Sequence, residues 1–265
     1  MKKSRGTSGP LVSIVTVTLN AGAALERTIE SVRWQSYPLI QYVVVDGGST
    51  DGTLDMIKKF KNTIDRVVSE EDSGIYHAMN KGLALCKGDL VYFLNAGDCL
   101  YDTTVISDVV DEYCRYDWDL IYGDAVLVSA PCGENVHKRH IDVSMDKLKN
   151  GYMICHQAVY VRKSVMKEFD TRFRLSADFD LLCRLFKEGL RKKYLPRNVC
   201  YYATGGASSD RNVIIKEKTE IIRENFGRLY GWRYCIFQYI RSRVRAIAIS
   251  LDLLRYYHKL RRMPL

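Results

Sequence analysis

Apolar stretches alternate with amphipathic stretches along the first hundred residues of the chain. Residues 12–18 (VSIVTVT) are rich in β-branched side chains and predict a buried strand, whereas residues 23–35 carry apolar side chains at helical spacing. The alternation continues, with strands predicted over 42–45, 66–69 and 89–94 and helices over 54–60 and 75–86. Because strands that alternate with helices form parallel crossovers, this order predicts a parallel sheet with helices on both faces.

The pattern is less regular after residue 98. It predicts helices over 105–116, 179–188 and 214–226, a short strand over 158–162, and a pair of strands over 120–128. Residues 134–138 are polar and have no predicted element. The expected fold class is α/β, with a mostly parallel, Rossmann-like sheet flanked by helices and followed by a helical extension.

The charge of the chain is concentrated at its carboxyl end. The net charge is +9 over 265 residues, and residues 228–265 carry +8 of it. We therefore expect a nearly neutral domain over 1–227 and a basic, aromatic, amphipathic helical tail over 228–265. Such a tail could bind the surface of an anionic membrane, pack against the domain or a second copy of the chain, or bind nucleic acid. The near neutrality of the domain argues against nucleic acid.

Neither a membrane span nor an export signal is predicted. No window reaches the roughly eighteen uninterrupted apolar residues that a span needs. Residues 11–19 contain Ser13 and Thr16 and lack a small-residue cleavage site, so they predict a buried strand, and we expect a cytoplasmic chain. The eight cysteines are not at CxxC spacing and favour reduced core thiols over zinc or disulfides.

Polar loops follow the predicted strands, and ligands of parallel sheets bind at the carboxyl ends of the strands. These loops cover residues 18–22, 46–53, 70–74 and 95–98. The loop 46–53 (DGGSTDGT) opens a helix, so its backbone N–H groups favour an anion, while Asp46 suits a base N–H or a ribose hydroxyl. A polar turn capped by Asp51 is the alternative.

Four charged residues are candidates for chemistry, each with a structural alternative. Lys81 could approach a diphosphate or be a solvated surface lysine. Asp98 could bind a divalent cation or cap a turn. Asp178 and Asp180 lie at a predicted helix start, where the helix dipole favours acids, and a carboxylate in a semi-apolar pocket there could act as a general base.

Several short motifs occur in one order over about residues 11–210. They are VTVTLN (15–20), SVRWQS (31–36), VDGGSTDGT (45–53), DSGIY (72–76), AMNKG (78–82), FLNAGD (93–98) and ADFD (177–180). In this order they resemble the inverting family 2 glycosyltransferases, which carry the GT-A fold. In detail the chain resembles the bacterial subgroup that builds exopolysaccharide and O-antigen repeat units.

The resemblance implies a nucleotide-sugar donor, most often linked to UDP. The nucleotide-sugar-binding residues that it implies are Thr18, Asn20, Asp46, Gly47, Ser49, Asp72, Lys81 and Asn95. Asp46 would read the uracil edge, Asp72 would contact the base or ribose, and Lys81 would lie nearer the diphosphate.

The resemblance also implies the reaction and the acceptor. Asp178 falls at the position of the family's catalytic base, which takes the proton of an acceptor hydroxyl as that oxygen attacks the anomeric carbon. His156, Gln157 and Asp180 would lie on the acceptor side. The implied reaction moves a hexose to a polyprenyl-diphosphate-linked glycan, with the tail holding the enzyme on the inner face of the cell membrane.

One motif departs from the family's pattern. The acidic motif, usually Asp-x-Asp, reads NAGD over 95–98, so Asp98 is its one ionised metal candidate. We expect Mg²⁺ or Mn²⁺, bound more weakly than by two carboxylates. The departure also supports an alternative function, a catalytically silent nucleotide-sugar-binding module of a polysaccharide assembly complex, although the presence of Asp178 argues against it.

Overall fold

The computed structural model describes residues 9–128, 135–139, 143–203 and 210–250. Four parallel strands form the first half of the sheet, in the spatial order β3-β2-β1-β4. They are β1 (Val12–Thr18), β2 (Ile40–Asp46), β3 (Arg66–Ser69) and β4 (Leu90–Phe93). Thr18 pairs with Asp46, and Asp46 pairs with Ser69. The loops that follow these three strands therefore begin at one edge of the sheet.

Helices cover both faces of these strands, as predicted. The first four are α1 (Gly22–Arg33), α2 (Thr53–Lys59), α3 (Ile75–Leu85) and α4 (Val105–Tyr116). Successive side chains of β1 point to opposite faces: Ile14 packs in the core with α1, α2 and α4, whereas Val15 packs in the core with α3. Every residue of β1 is buried, which explains its nearly continuous apolar sequence.

The second half makes the sheet mixed. It contains β5 (Cys99–Leu100), β6 (Leu120–Val128), β7 (Asn135–Lys138), β8 (Val159–Arg162) and β9 (Lys192–Ala203). The spatial order continues β4-β8-β6-β9-β5, with β7 paired to β6. Strand β8 is antiparallel to both β4 and β6, so the parallel arrangement that the alternation predicts holds for β1 to β4 but not across β8.

Three further expectations about this half are corrected. Residues 120–128 form one strand, because they pair along their length with β9 instead of turning back. The polar segment 134–138 includes β7, which pairs antiparallel with the end of β6. Strands β5 and β9 were not predicted: β5 has two residues, and β9 (KKYLPRNVCYYA) begins with charged side chains and contains a proline.

The remaining helices surround the carboxyl half of the chain. They are α5 (Met145–Lys149), a 3-10 turn (His156–Ala158), α6 (Ala177–Lys187), α7 (Arg211–Phe226) and α8 (Arg228–Ser250). Helix α7 begins three residues before the predicted start, because the Asp210 carboxylate accepts hydrogen bonds from the N–H groups of Asn212 and Val213.

The tail begins with α8, which is anchored near its start. Tyr234 is buried in the same core as α3 and α6, and α8 packs against α7. Residues 251–265 of the predicted tail lie outside the described residues, and the division of the chain at 227/228 stays a prediction. Among the described helices, none combines the length and the apolar character that crossing a bilayer requires.

Candidate active site

The loop after β2 is built around Asp46, whose side chain is fully buried. Its Oδ2 accepts hydrogen bonds from Ser69 Oγ at 2.8 Å, from the Gly48 N–H at 3.2 Å and from the Ser49 N–H at 3.1 Å. Its Oδ1 accepts from Ser49 Oγ. Asp46 thus folds the loop and ties it to β3, and its contact with a uracil edge stays a prediction.

The loop after β1 is joined to this one through Asn20. Asn20 has a φ of +49°, a left-handed conformation that asparagine tolerates. Its N–H donates to Ser49 Oγ at 2.8 Å, and its Oδ1 accepts from the Thr50 N–H at 2.9 Å. Beside it, the Gly47 N–H donates to the Thr18 carbonyl at 2.9 Å. The Thr18 hydroxyl is buried and has no partner among the described residues, so it is an unused donor within this group.

Asp72, in the loop before α3, completes the group. A Cβ built on Gly47 would lie 2.5 Å from Asp72 Oδ2, so a side chain at position 47 would displace the carboxylate. Asp72 Oδ1 accepts from the Gly74 N–H at 2.9 Å, which holds the carboxylate at the start of α3. Five residues of the predicted nucleotide set are therefore neighbours of Gly47 or of its loop, namely Thr18, Asn20, Asp46, Ser49 and Asp72.

Lys81 lies close to the acidic end of the same loop. Its ammonium is 2.8 Å from Glu70 Oε1 and donates to the Glu71 carbonyl at 3.0 Å. The ammonium lowers the pKa of the exposed Glu70 carboxyl through a hydrogen bond and its charge. The structure thus pairs Lys81 with Glu70, and its approach to a diphosphate stays a prediction.

A chain of hydrogen bonds joins the loop after β4 to the start of α6. His156 Nδ1 is 3.1 Å from Asp178 Oδ2, and His156 Nε2 is 3.2 Å from Asn95 Nδ2. The side chains of His156 and Asp178 are 22% and 17% exposed, so both can be reached from solvent. Asp178 Oδ1 accepts from the Phe179 N–H at 2.8 Å, as expected at a helix N-terminus. The sequence predicted each residue but not this connection.

The pair is electrostatically matched. Burial alone would raise the pKa of Asp178, but His156, Lys218 and Tyr76 together lower it below the ordinary carboxyl value. Burial alone would lower the pKa of His156, but the hydrogen bond and charge of Asp178 raise it. Each group therefore favours the charged form of the other, and Asp178 is held as a carboxylate.

Two of these neighbours were missed by the sequence reasoning. Tyr76 lies on α3 within the DSGIY motif; burial, together with the charge of Asp178, raises the pKa of its hydroxyl well above the usual range, so the hydroxyl stays protonated and can donate to Asp178. Lys218 lies on α7, 40 residues from Asp178 in the sequence, within a helix that looked like an ordinary charged surface helix. The one sequence signal for Lys218 is its spacing: it lies three and four residues from Ile215 and Ile214 and from Ile221 and Ile222, on the apolar face of the helix, whereas Lys216 does not.

An apolar cavity of about 30 Å³ lies beneath the pair. His156 and Asp178 line it together with side chains from β4, β8 and α6, among them Phe93, Val161 and Leu182. A space of this size holds about one water molecule. Asp178 thus has the semi-apolar surroundings that the sequence analysis expected of a general base.

Asp98 binds protein groups on both of its oxygens. Oδ2 accepts from Gln157 Nε2 at 2.8 Å, and Oδ1 accepts from the Ala203 N–H at 3.1 Å. Burial raises the pKa of Asp98, although these hydrogen bonds oppose the rise. Asp98 therefore connects the loop after β4 with the 3-10 turn and the end of β9. Gln157, which was predicted to lie on the acceptor side, is a hydrogen-bond donor to Asp98.

Asp98 and Asn95 could provide some, but not all, of the ligands of a divalent cation. In the described part of the chain, no group of three or more His, Cys, Asp or Glu is placed to hold a metal ion. Asn95 Oδ1 is buried without a hydrogen-bond partner among those residues, so it is a free neutral oxygen beside the Asp98 loop. The other ligands would come from the diphosphate of the donor and from water, as is common for Mg²⁺.

Asp180 has a structural role between two helices. Its side chain is buried, with Oδ2 accepting from Arg184 Nε at 2.7 Å and Oδ1 accepting from Asn225 Nδ2 at 3.3 Å. These contacts fix α6 to α7. Asp180 does not line the cavity beneath Asp178, and its acceptor-side role stays a prediction.

A model of the family described as "Glycosyl transferase family 2" matches residues 13–175, which is more than half of the chain. The chain belongs to this family. The match covers the loops after β1 to β4 and His156, and it ends immediately before the helix that carries Asp178.

Two relatives of this family 2 glycosyltransferase are named as biosynthesis glycosyltransferases. The chain is 32% identical to a "PGL/p-HBAD biosynthesis glycosyltransferase" of Mycobacterium tuberculosis over 79% of this chain and 83% of the relative. It is 26% identical to the "putative teichuronic acid biosynthesis glycosyltransferase TuaG" of Bacillus subtilis, over 89% and 97% of the two chains.

Solved structures show the same GT-A-like fold. The TM-score is 0.62 against TarS residues 1–349 of S. aureus in complex with UDP-GlcNAc, with 16% identity over 85% of this chain and 70% of that one. It is 0.64 against the mannosyltransferase PcManGT from Pyrobaculum calidifontis in complex with GDP-Man and Mn²⁺, with 15% identity over 96% and 84%. The chain covers 43% of the longer TarS chain.

Proposed function

We propose that this family 2 glycosyltransferase moves a hexose from a UDP-sugar to a lipid-linked glycan, with inversion at the anomeric carbon, in the synthesis of a surface polysaccharide of the exopolysaccharide or O-antigen type. The observation that carries the proposal is Asp178, held ionised by His156, Lys218 and Tyr76 while partly open to solvent. The TarS complex with UDP-GlcNAc and the names of the relatives support the donor and the kind of product.

The proposed step is a single displacement. An acceptor hydroxyl oxygen forms a bond to the anomeric carbon while the bond to the UDP oxygen breaks, and UDP leaves with that electron pair. Asp178 takes the hydroxyl proton, which makes the oxygen a better nucleophile. His156 holds Asp178 Oδ2 in place at 3.1 Å, and apolar side chains surround the small cavity that both residues line.

The donor is proposed to bind where the loops after β1, β2 and β3 meet. The Asp46 loop leads directly into the start of α2, and the Thr18 hydroxyl has no partner among the described residues. Mg²⁺ or Mn²⁺, held by Asp98 and Asn95 Oδ1, would offset the charge of the leaving diphosphate. The Mn²⁺ in the PcManGT complex supports this part of the proposal.

The tail is proposed to rest on an anionic membrane at its inner, cytoplasmic face. Between Cys235 and Val244 the side chains of α8 are largely exposed, and large apolar residues are interspersed with arginines. The exposed apolar side chains are Leu229, Trp232, Phe237, Tyr239, Ile240 and Val244. Aromatic side chains beside arginines suit an anionic lipid surface, where a lipid-linked acceptor would be found.

Catalysis is tested with Asp178→Asn and the matched control Asp146→Asn. Both replace an acid in the first turn of a helix, but the Asp146 side chain is 84% exposed and pairs with Lys149. We expect release of UDP from a panel of UDP-hexoses to fall about 10²- to 10⁴-fold in the first variant and to be unchanged in the second. UDP should stabilise both variants equally in a thermal shift. Full activity of Asp178→Asn would refute the role of the base.

The same thermal shift, with and without Mn²⁺, tests the donor and the metal. A ligand that binds the folded state raises the melting temperature according to its affinity. Stabilisation by UDP over GDP, CDP and dTDP supports the donor, and a further rise with Mn²⁺ supports the weak cation site. UDP binding with no hydrolysis or transfer in the wild type would favour the silent-module alternative.

Membrane binding is tested by sedimentation with vesicles. We expect the full chain to sediment with vesicles that contain phosphatidylglycerol and to stay in solution with phosphatidylcholine alone. Trp232→Ala with Phe237→Ala should weaken this binding, whereas Tyr116→Ala, which removes an aromatic exposed elsewhere (59%), should not. A concentration-dependent dimer that binds no vesicle would assign the exposed face to a second copy of the chain instead.

A further inference from the structure

Lys218 projects from α7 toward the candidate base, although α7 lies outside the segment that the family model matches. Its ammonium donates to the Gly151 carbonyl at 3.3 Å and lies 4.5 Å from the centre of the Phe179 ring. Phe179 follows Asp178 directly, so the ammonium lies beside the first turn of α6. An aromatic face attracts a cation at this distance.

This position is unfavourable for a lysine without a compensating charge. Burial lowers the pKa of the Lys218 amine, and Asp178 acts in the opposite direction. Its helical neighbour Lys216 is exposed. A solvated lysine needs no partner, but a partly buried ammonium is stabilised by hydrogen-bond acceptors and a nearby anion. The Gly151 carbonyl accepts from Lys218, and Asp178 acts on it through its charge.

Helix α7 is held firmly against α6, which fixes where Lys218 points. Glu217 accepts hydrogen bonds from the N–H groups of Arg174 at 2.8 Å and Leu175 at 2.9 Å, in the segment that leads into α6. Ile221 and Ile222 are fully buried in the shared core. Two adjacent residues of α7 therefore act on the start of α6. Glu217 bonds the backbone of the segment before the helix, and Lys218 places a positive charge beside its first turn.

We propose that Lys218 is a positioning residue for the glycosyl transfer, whose ammonium, held beside the first turn of α6, keeps the Asp178 carboxylate ionised. This inference rests on the proposed role of Asp178 as the base. Among the described residues, the titratable groups that act on Asp178 are His156 from the 3-10 turn, Tyr76 from α3 and Lys218 from α7. Lys218 faces Cys183 on α6 as well.

The test replaces the charge and leaves the bulk. In Lys218→Met the Asp178 carboxyl loses a neighbouring cation, so its pKa should rise by about one pH unit. The low-pH limb of kcat/KM should move upward by the same amount, while the KM for the UDP-sugar stays unchanged. Lys218→Arg should restore most of the wild-type profile. Lys216→Met is the matched control on the same helix and should change nothing.

The carboxyl titration is read directly by carbon NMR on protein with ¹³C-labelled aspartate, with Asp178→Asn identifying the signal. An Asp178 titration that is the same in wild type and Lys218→Met would overturn the inference. If Lys218→Met does not fold, Lys218→Gln provides the same comparison with a polar side chain. Activity retained by Asp178→Asn would refute the proposed base, while the NMR titration would still report whether Lys218 acts on Asp178.

Discussion

The packing of α3 on the sheet leads to a quantitative prediction at Gly82. This glycine lies where α3 crosses β1 and β2, and a Cβ built on it would be 2.4 Å from Val15 Cγ1 and 3.3 Å from Val45 Cγ2. Both valines are fully buried. Because a β-branched side chain in a central strand has little rotamer freedom, Val15 cannot turn away from a new methyl group.

The two opposing effects of Gly82→Ala can be compared. Alanine is better than glycine in a helix by about 1 kcal/mol, whereas overpacking a well-filled core costs about 1–3 kcal/mol. With a contact more than 1 Å shorter than an ordinary one, we expect the overpacking to be near its upper limit. The net effect should be a loss of about 1–2 kcal/mol in the free energy of unfolding.

A double-mutant cycle with Val15→Ala separates the clash from other effects. Val15→Ala removes two buried methyl groups and should cost about 2–3 kcal/mol, because a cavity remains. In the double variant the methyl group introduced at position 82 enters that space, so the combined loss should be about 1–2 kcal/mol smaller than the sum of the single losses.

The free energies are measured by equilibrium unfolding in urea, with equal slopes required for comparison. Ala84→Gly, at an exposed position of the same helix, measures the helix-propensity difference alone. The predicted clash would be refuted if Gly82→Ala were more stable than wild type by that difference, or if the stability losses of Gly82→Ala and Val15→Ala were additive. Either result would mean that α3 lies farther from β1 than the structure places it.

Two further predictions concern the site. Gly47→Ala should displace the Asp72 carboxylate, the end of a surface side chain, so the melting temperature should hardly change while UDP binding by calorimetry weakens about tenfold. Gly52→Ala, where a Cβ meets open space, should leave both unchanged. Equal UDP binding in the two variants would remove Asp72 from the site. His156→Gln tests the ion pair by pH. The raised pKa of His156 contributes stability below about pH 6.5 that is lost as pH rises through its folded pKa, and the lowered pKa of Asp178 contributes stability above about pH 4. The stability lost in His156→Gln should therefore be greatest between about pH 4 and 6.5, and a pH-independent loss in urea titrations would contradict the pairing.

The sequence predicts best those strands whose pattern of apolar residues follows from burial alone. Strands β1, β2 and β4 are buried on both faces, so their apolar sequences identify them without knowledge of their partners. Strand β9 has mostly intermediate or exposed side chains and takes its form from pairing with β6, a contact distant in sequence. The order of apolar and polar residues within β9 contains no information about β6 as its partner.

The same distinction holds for the site. Asp46, Asn20 and Ser49 lie in loops that directly follow strands, and the alternation of strands and helices is enough to bring those loops together. Lys218 reaches Asp178 only because α7 folds back on α6, through contacts such as those of Glu217 with the backbone at Arg174. Helical spacing places Lys218 on the apolar face of α7, among Ile214, Ile215, Ile221 and Ile222, but residues 211–226 contain no information about the carboxylate near which that face packs.

The NAGD sequence of the loop after β4 bears on the base as well as on a metal. The amide of Asn95 meets one nitrogen of His156 at 3.2 Å, while the Asp178 carboxylate meets the other at 3.1 Å. With a carboxylate at position 95, the imidazole would lie between two anions, which would stabilise its doubly protonated form and divide its charge between them. Among the described residues, the neutral amide leaves Asp178 as the one anion bonded to the ring, so an amide in place of an acid at position 95 would weaken the proposed cation site and, at the same time, leave His156 directed toward the candidate base.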